Sequence, residues 1–241
     1  LERNLTEDGL AVVGAPKGEE TLALTAYRTL RLDIIRGARL PGERLRIKRL
    51  GEIYKIGPTP LREALQRLSA DRLVINEGNR GFTVAPLNFR EFEDLNIART
   101  VVEKEALRLS IAKGDDDWES RVVAASYLMQ KEDRALAAGC GAVPDSWERA
   151  NAGFHSALVS ACGSRWLLWT RNNLQDLCER YRRASVAKRP ERDLSSEHSE
   201  IANAALARDA DLACRLIERH FALTASQLSE VLGNPGARTA V

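Results

Sequence analysis

Thr59-Pro60-Leu61-Arg62-Glu63-Ala64-Leu65-Gln66-Arg67-Leu68, then Leu73-Val74-Ile75-Asn76 and Phe82-Thr83-Val84-Ala85, is the stretch on which the reading of this chain turns. Thr59 is expected to cap a helix, Pro60 suits a first helical position, and Ala64, Leu65 and Leu68 continue an apolar face towards Ala70. The two β-rich runs that follow are joined by Glu77-Gly78-Asn79-Arg80-Gly81, a turn sequence for a hairpin. Upstream, Leu24, Tyr27, Leu30 and Ile34 recur at helical spacing within Thr21–Ile35. Leu40-Pro41-Gly42-Glu43 reads as a turn, and Lys48–Lys55 as a short helix broken by Ile56-Gly57-Pro58. Three helices and a β-hairpin in some sixty residues describe a winged helix-turn-helix.

Beyond Pro86 the pattern is helical throughout. Segments are expected at about 89–112, 116–138, 145–162, 165–187, 193–208 and 210–232, separated by Gly114, Gly139 to Pro144, Gly163, Pro190 and the Arg208-Asp209 join. The fold class is therefore mainly α: an N-terminal winged helix-turn-helix (19–86) followed by an all-α six-helix bundle (87–233), with a flexible arm at 1–18 and a tail at 234–241.

Charge divides along the same line. The 241 residues carry a net +2, but 19–87 hold 13 Lys and Arg against 8 Asp and Glu, whereas 88–233 hold 20 against 23. A basic head on a slightly acidic body suits a nucleic-acid reader attached to a sensing or assembling unit, although two ordinary domains could also differ this way. No apolar run approaches the roughly 18–20 residues of a membrane span. Cys140, Cys162, Cys178 and Cys214 form no CxxC pair, so reduced thiols in a cytoplasmic protein are expected rather than a disulfide framework or zinc ribbon.

In a helix-turn-helix the second helix enters the major groove by its N-terminal residues. Here that helix exposes Arg62, whose guanidinium can bridge guanine O6 and N7. Lys48 on the preceding helix, and Arg80 with Gly81 at the wing tip, could meet the backbone or minor groove. These motifs, with Leu40-Pro41-Gly42-Glu43 and Arg80-Gly81-Phe82-Thr83-Val84, resemble the winged-helix domain of GntR-family transcription regulators. The resemblance implies that Lys48, Thr59, Arg62, Arg80 and Gly81 approach operator DNA. The family usually has Ser or Thr followed by Arg just before the Thr-Pro pair, and that Arg commonly reads a base; this chain has Gly57-Pro58.

The body holds all three histidines, one on each of three expected helices: His155, His198 and His220. Asn151 lies one turn before His155 and shares its face. Neutral imidazoles with one side-chain oxygen are a ligand set for Zn²⁺, Ni²⁺ or a related divalent ion in the bundle core, with positions left for a ligand's carboxylate. Asn151-Ala152-Gly153-Phe154-His155, Ala161-Cys162-Gly163, Glu197-His198 and His220 resemble the FCD domain of FadR-type GntR regulators, in its six-helix VanR-like form. The resemblance implies a metal held by Asn151, His155, His198 and His220, a small carboxylate effector beside it, and Arg99 as that carboxylate's partner. A structural i, i+4 bridge from Arg99 to Glu103 is the alternative.

No catalytic constellation competes. Ser196 and Ser199 flank His198 without a hydrolase elbow, and Gly139-Cys140-Gly141 lacks the Lys-Ser/Thr of a phosphate loop. Trp166 and Trp169 suit core or interface positions. The expectation is a bacterial regulator, not an enzyme, working as a homodimer on a short two-fold operator and most often repressing. A metal-free acyl-ligand sensor, or a metal-dependent enzyme with a tethered head, are the alternatives.

Overall fold

The computed structural model describes residues 21–139, 143–184 and 192–232. The expected arm at 1–18, the tail at 234–241, and Cys140 with Gly141 lie outside these. The head comprises α1 (Leu22–Ile35), β1 (Arg44–Leu45), α2 (Ile47–Tyr54), α3 (Pro58–Ala70), β2 (Val74–Asn76), a single 3₁₀ turn at Gly78–Arg80, and β3 (Phe82–Val84). Thr21 starts α1 by accepting the Leu24 amide on its hydroxyl. The helices close on wholly buried Leu30, Leu61, Ala64, Leu65, Leu68 and Leu73. Each leucine of that set contributes about 1.5–3 kcal/mol by leaving water.

Helix α3 begins earlier than expected. Gly57, extended at φ −64° and ψ 163°, is its N-cap and Pro58 its first helical residue, so Thr59 is not the cap. Proline's fixed φ suits the first helical position, and it biases the preceding residue towards extended backbone; Pro58 and Gly57 satisfy both requirements one turn-position upstream. The hairpin forms as expected, with Val74, Ile75 and Asn76 opposite Val84, Thr83 and Phe82. A third strand, β1, joins the open side of β3 through Arg44 opposite Thr83 and Leu45 opposite Phe82. Two residues carry no periodicity, so nothing in the sequence announces it.

The body comprises α4 (Phe89–Lys113), α5 (Asp116–Ala138), α6 (Asp145–Val159), α7 (Arg165–Ala184), α8 (Leu194–Leu206) and α9 (Ala210–Leu232). Asn88, Asp115 and Asp193 cap α4, α5 and α8 by accepting backbone amides of the first turn. Helix α6 stops at Val159, three residues short of the expected end. Gly114 ends α4 against the Trp118 ring, where a Cβ would lie 2.3 Å from a ring carbon. Helix α4 packs between α9 and α7, and α5 between α6 and α8, around Leu107, Trp118, Val122, Met129, Phe154, Ile217 and Phe221.

Head and body meet along α7. Leu177 packs on the head core, Arg31 of α1 pairs with Asp176, and the Arg180 guanidinium donates to the Ala85 carbonyl. Trp166 and Trp169 are not core: they are 74% and 62% exposed, edge to face on the outside of α7. Among the described residues, no helix is long and apolar enough to cross a membrane.

Candidate metal centre and nucleic-acid interface

The three histidines, on α6, α8 and α9, converge inside the bundle. Each offers a ring nitrogen within 4.8 Å of the other two, and all three are buried. Ring centroids are 4.8 Å apart for His198–His220, 5.5 Å for His155–His220 and 6.2 Å for His155–His198. Phe154 and Phe221 pack edge-on and tilted against them. Asn151, one turn before His155, is also buried and lines the same cavity of about 710 Å³, with Arg99, His155 and His220.

A carboxylate stands behind each imidazole. Asp133 of α5 lies 2.7 Å from His198 Nδ1, and its other oxygen accepts the Trp147 indole N–H at 2.8 Å. Glu197 lies 2.9 Å from His220 Nδ1 and is gripped by the Arg192 guanidinium. Glu103 Oε1 is 3.5 Å from His155 Nδ1, while both Glu103 oxygens accept from Arg171 at 2.9 and 3.1 Å. With Nδ1 of His198 facing a carboxylate, its Nε2 is the free ligand atom and, buried, has no hydrogen-bond partner, whereas His220 Nδ1 faces both Glu197 at 2.9 Å and the Arg192 guanidinium at 3.2 Å. Both ring nitrogens of His155 also lack one.

The electrostatics hold two of the three imidazoles, those of His155 and His220, in ligand form. Burial pushes the His155 imidazole down to about 3, against the opposing pull of Glu103. Burial likewise holds His220 well below its ordinary value, with Glu197 opposing. Burial would raise Glu103, but Arg171, His155 and Arg99 together bring it well below the usual carboxylate range. At Glu197 burial again acts upward, and the Arg192 and His220 bonds override it, leaving the carboxyl at about 2. A neutral imidazole is the form in which histidine ligates a divalent cation.

Arg99 is buried, its guanidinium 3.9 Å from the centre of the Phe221 ring, and its Nε and Nη2 have no hydrogen-bond partner. No ion pair joins it to Glu103, so the i, i+4 bridge is absent; Arg171, 68 residues away in sequence, has that carboxylate instead. An unsatisfied buried guanidinium facing a cavity is equipped to bind an anion. Sequence reasoning missed Asp133, Arg171 and Arg192, and it named Glu103 only as a possible partner of Arg99 and Glu197 only as the neighbour of His198. Asp133 sits in the charged run Lys131-Glu132-Asp133-Arg134, which reads as a solvated face.

On the head, Arg62, Arg80 and Gly81 line one hollow between α3 and the wing, whereas Lys48 and Thr59 are exposed outside it. Gly81 has φ +91°, a conformation that side chains disfavour, and this lets the wing turn back into β3. Arg44, Arg46 and Gln66 also line the hollow and were not singled out from sequence.

A basic winged helix fixed to a helical bundle that encloses a polar centre defines a DNA-binding transcription regulator with a second, helical module. Residues 22–84 match the bacterial regulatory proteins of the gntR family, and residues 94–223 match the FCD domain. The chain belongs to the GntR family, with an FCD domain as its helical module, and is a transcription regulator rather than an enzyme. It is 37% identical over 202 residues to the HTH-type transcriptional regulator BphR of Paraburkholderia xenovorans, covering 83% of this chain and 82% of that one. It is also 37% identical over 204 residues to the HTH-type transcriptional repressor GlaR of Escherichia coli, covering 83% and 92%. A putative GntR regulator from Rhodococcus superposes with a TM-score of 0.70 at 27% identity, over 86% of this chain and 97% of that one. Escherichia coli McbR/YncC shares the fold, with a TM-score of 0.72 at 19% identity over 88% and 99%.

Proposed function

We propose that this regulator senses a small carboxylic acid at a divalent metal held in its helical bundle and answers by changing its hold on operator DNA. The convergence of three buried imidazoles, each with a carboxylate behind it, carries the reading. His155, His198 and His220 would ligate the ion through neutral nitrogens, with the Asn151 amide oxygen as a fourth donor. The amide brings no negative charge, so the site holds its ion less tightly than an aspartate version would. A bound zinc or nickel ion supplies a fixed positive charge to which an acid's carboxylate binds. Arg99 pairs with that carboxylate, its unpartnered nitrogens gaining the acceptors they lack.

In this reading residues 19–86 and 87–233 act as two units in the cytoplasm. Lys48, Thr59, Arg62, Arg80 and Gly81 approach DNA, and two copies of the chain present two heads to a short palindrome. The effector alters DNA affinity only through its preference for one arrangement of heads. Repression is the direction the name of the GlaR relative supports, and its relief by the acid is part of this proposal. Elemental analysis of the full chain, purified without an affinity tag, is expected to find close to one zinc or nickel per chain, and none in His198→Ala. A content far below one per chain overturns the metal and leaves a metal-free acid sensor.

A further inference from the structure

Helix α3 carries few groups at the end that should meet DNA. Of its four leading amides, those at Pro58 and Pro60 do not exist. The Pro58 and Pro60 side chains offer no polar group and Leu61 is wholly buried, so the first turn presents only Thr59 and then Arg62. A recognition helix reads bases from this end. Besides Arg62, α3 sends only the neutral Gln66 into the hollow beside the wing, so a second charged planar donor must come from elsewhere in the head.

Arg46 is placed to supply them. It precedes α2, where its side chain caps no amide, and it is exposed. No hydrogen bond or ion pair engages its guanidinium among the described residues. It lines the hollow between α3 and the wing together with Arg44, Arg62, Gln66 and Arg80. Arg44 is committed, its Nη2 donating to the Arg80 carbonyl at 2.7 Å, which ties β1 to the wing tip. Lys48, two residues on, lies outside the hollow. Arg46 thus shares with Arg62 the concave face that closes over the groove, and it has a free planar fork to offer.

We propose that Arg46 is a base-reading residue, its guanidinium bridging O6 and N7 of a guanine next to the pair read by Arg62. The inference rests on the operator-binding reading above. The test uses the full chain and a pool of duplexes with a randomised core. Sequences retained by the wild type are re-measured by fluorescence anisotropy as single-base-pair variants, for wild type, Arg46→Ala and Arg46→Lys.

The expected result is that Arg46→Ala loses about ten-fold or more of discrimination at one G·C position and keeps the others, as loss of one bidentate contact should. Arg46→Lys keeps the charge without the fork; it should keep most of the affinity and lose the same discrimination, and it serves if the alanine variant does not fold. A uniform loss across all duplexes, with the salt dependence weakened by about one counterion, would make Arg46 a phosphate contact and overturn the proposal alone. Unchanged profiles in both variants would overturn it as well. If the wild type retained no preferred sequence, the operator-binding reading would fall with it.

Discussion

Asp133→Asn separates a metal-tuning role for this carboxylate from a packing role. The change is nearly isosteric at a buried site, and Oδ1 can continue to accept the Trp147 indole N–H. The altered atom is Oδ2, which lies 2.7 Å from His198 Nδ1 and becomes an amide donor. Two donors cannot face each other, so His198 must present its lone pair at Nδ1 and carry its proton on Nε2, the atom that a metal would need. Loss of such an outer partner weakens metal binding about 10- to 100-fold. At free metal 100 times the wild-type Kd, the wild type gains about 2.7 kcal/mol; a variant weakened about 30-fold gains about 0.9 kcal/mol. For a chain of this size the difference corresponds to roughly 4–7 °C in metal-induced Tm shift. The assay pairs calorimetric zinc titration of the metal-stripped protein with melting curves at fixed free zinc. Equal zinc affinities within two-fold, with equal Tm shifts, would refute the argument that Asp133 sets the His198 tautomer.

Three further outcomes test the scaffold. Leu65→Ala, at a wholly buried position of the head core, should cost about 2–5 kcal/mol in urea unfolding followed by helical signal, and a loss below 1 kcal/mol would mean the site collapses around the gap. Gly114→Ala should destabilise the bundle by about 1–3 kcal/mol, because a Cβ there overlaps the Trp118 ring; unaltered melting and unaltered Trp118 fluorescence would show that α4 and α5 yield freely. Tyr54 is pushed up to about 12, chiefly by burial and then by its hydrogen bond to Asp33. A folded-state value above the unfolded 10.0 means that its stabilising effect is complete below pH 10 and is lost as the pH rises towards 12. The 295 nm titration difference between wild type and Tyr54→Phe should therefore centre well above pH 10, and a midpoint at 10 would remove the half-buried Asp33 bond from the account.

Local signals carried much of the architecture. The helices of the body announce themselves through apolar periodicity and the breaks between them; the caps at Asn88, Asp115 and Asp193, which also act within one turn, were not singled out. The hairpin is legible for the same reason: its turn and both strands lie within a dozen residues. The start of α3 was misplaced because two prolines, Pro58 and Pro60, each fit a first helical position, and both residues ended up inside the helix.

A basic winged head, a helical body and the helix that carries each histidine can all be read from the order of the residues. Which groups meet is set by the packing of the helices. Glu197 adjoins His198 in the chain, yet it serves His220 across the bundle, while His198 is served by Asp133 from 65 residues away. Glu103 has an arginine one turn before it and pairs instead with Arg171. Trp166 and Trp169, apolar enough for a core, stand in solvent. Caps and periodicity act over one or two turns and leave their trace in the order of residues. The pairing of a buried charge depends on how helices cross and on what each excludes from water, and neighbouring residues do not encode that.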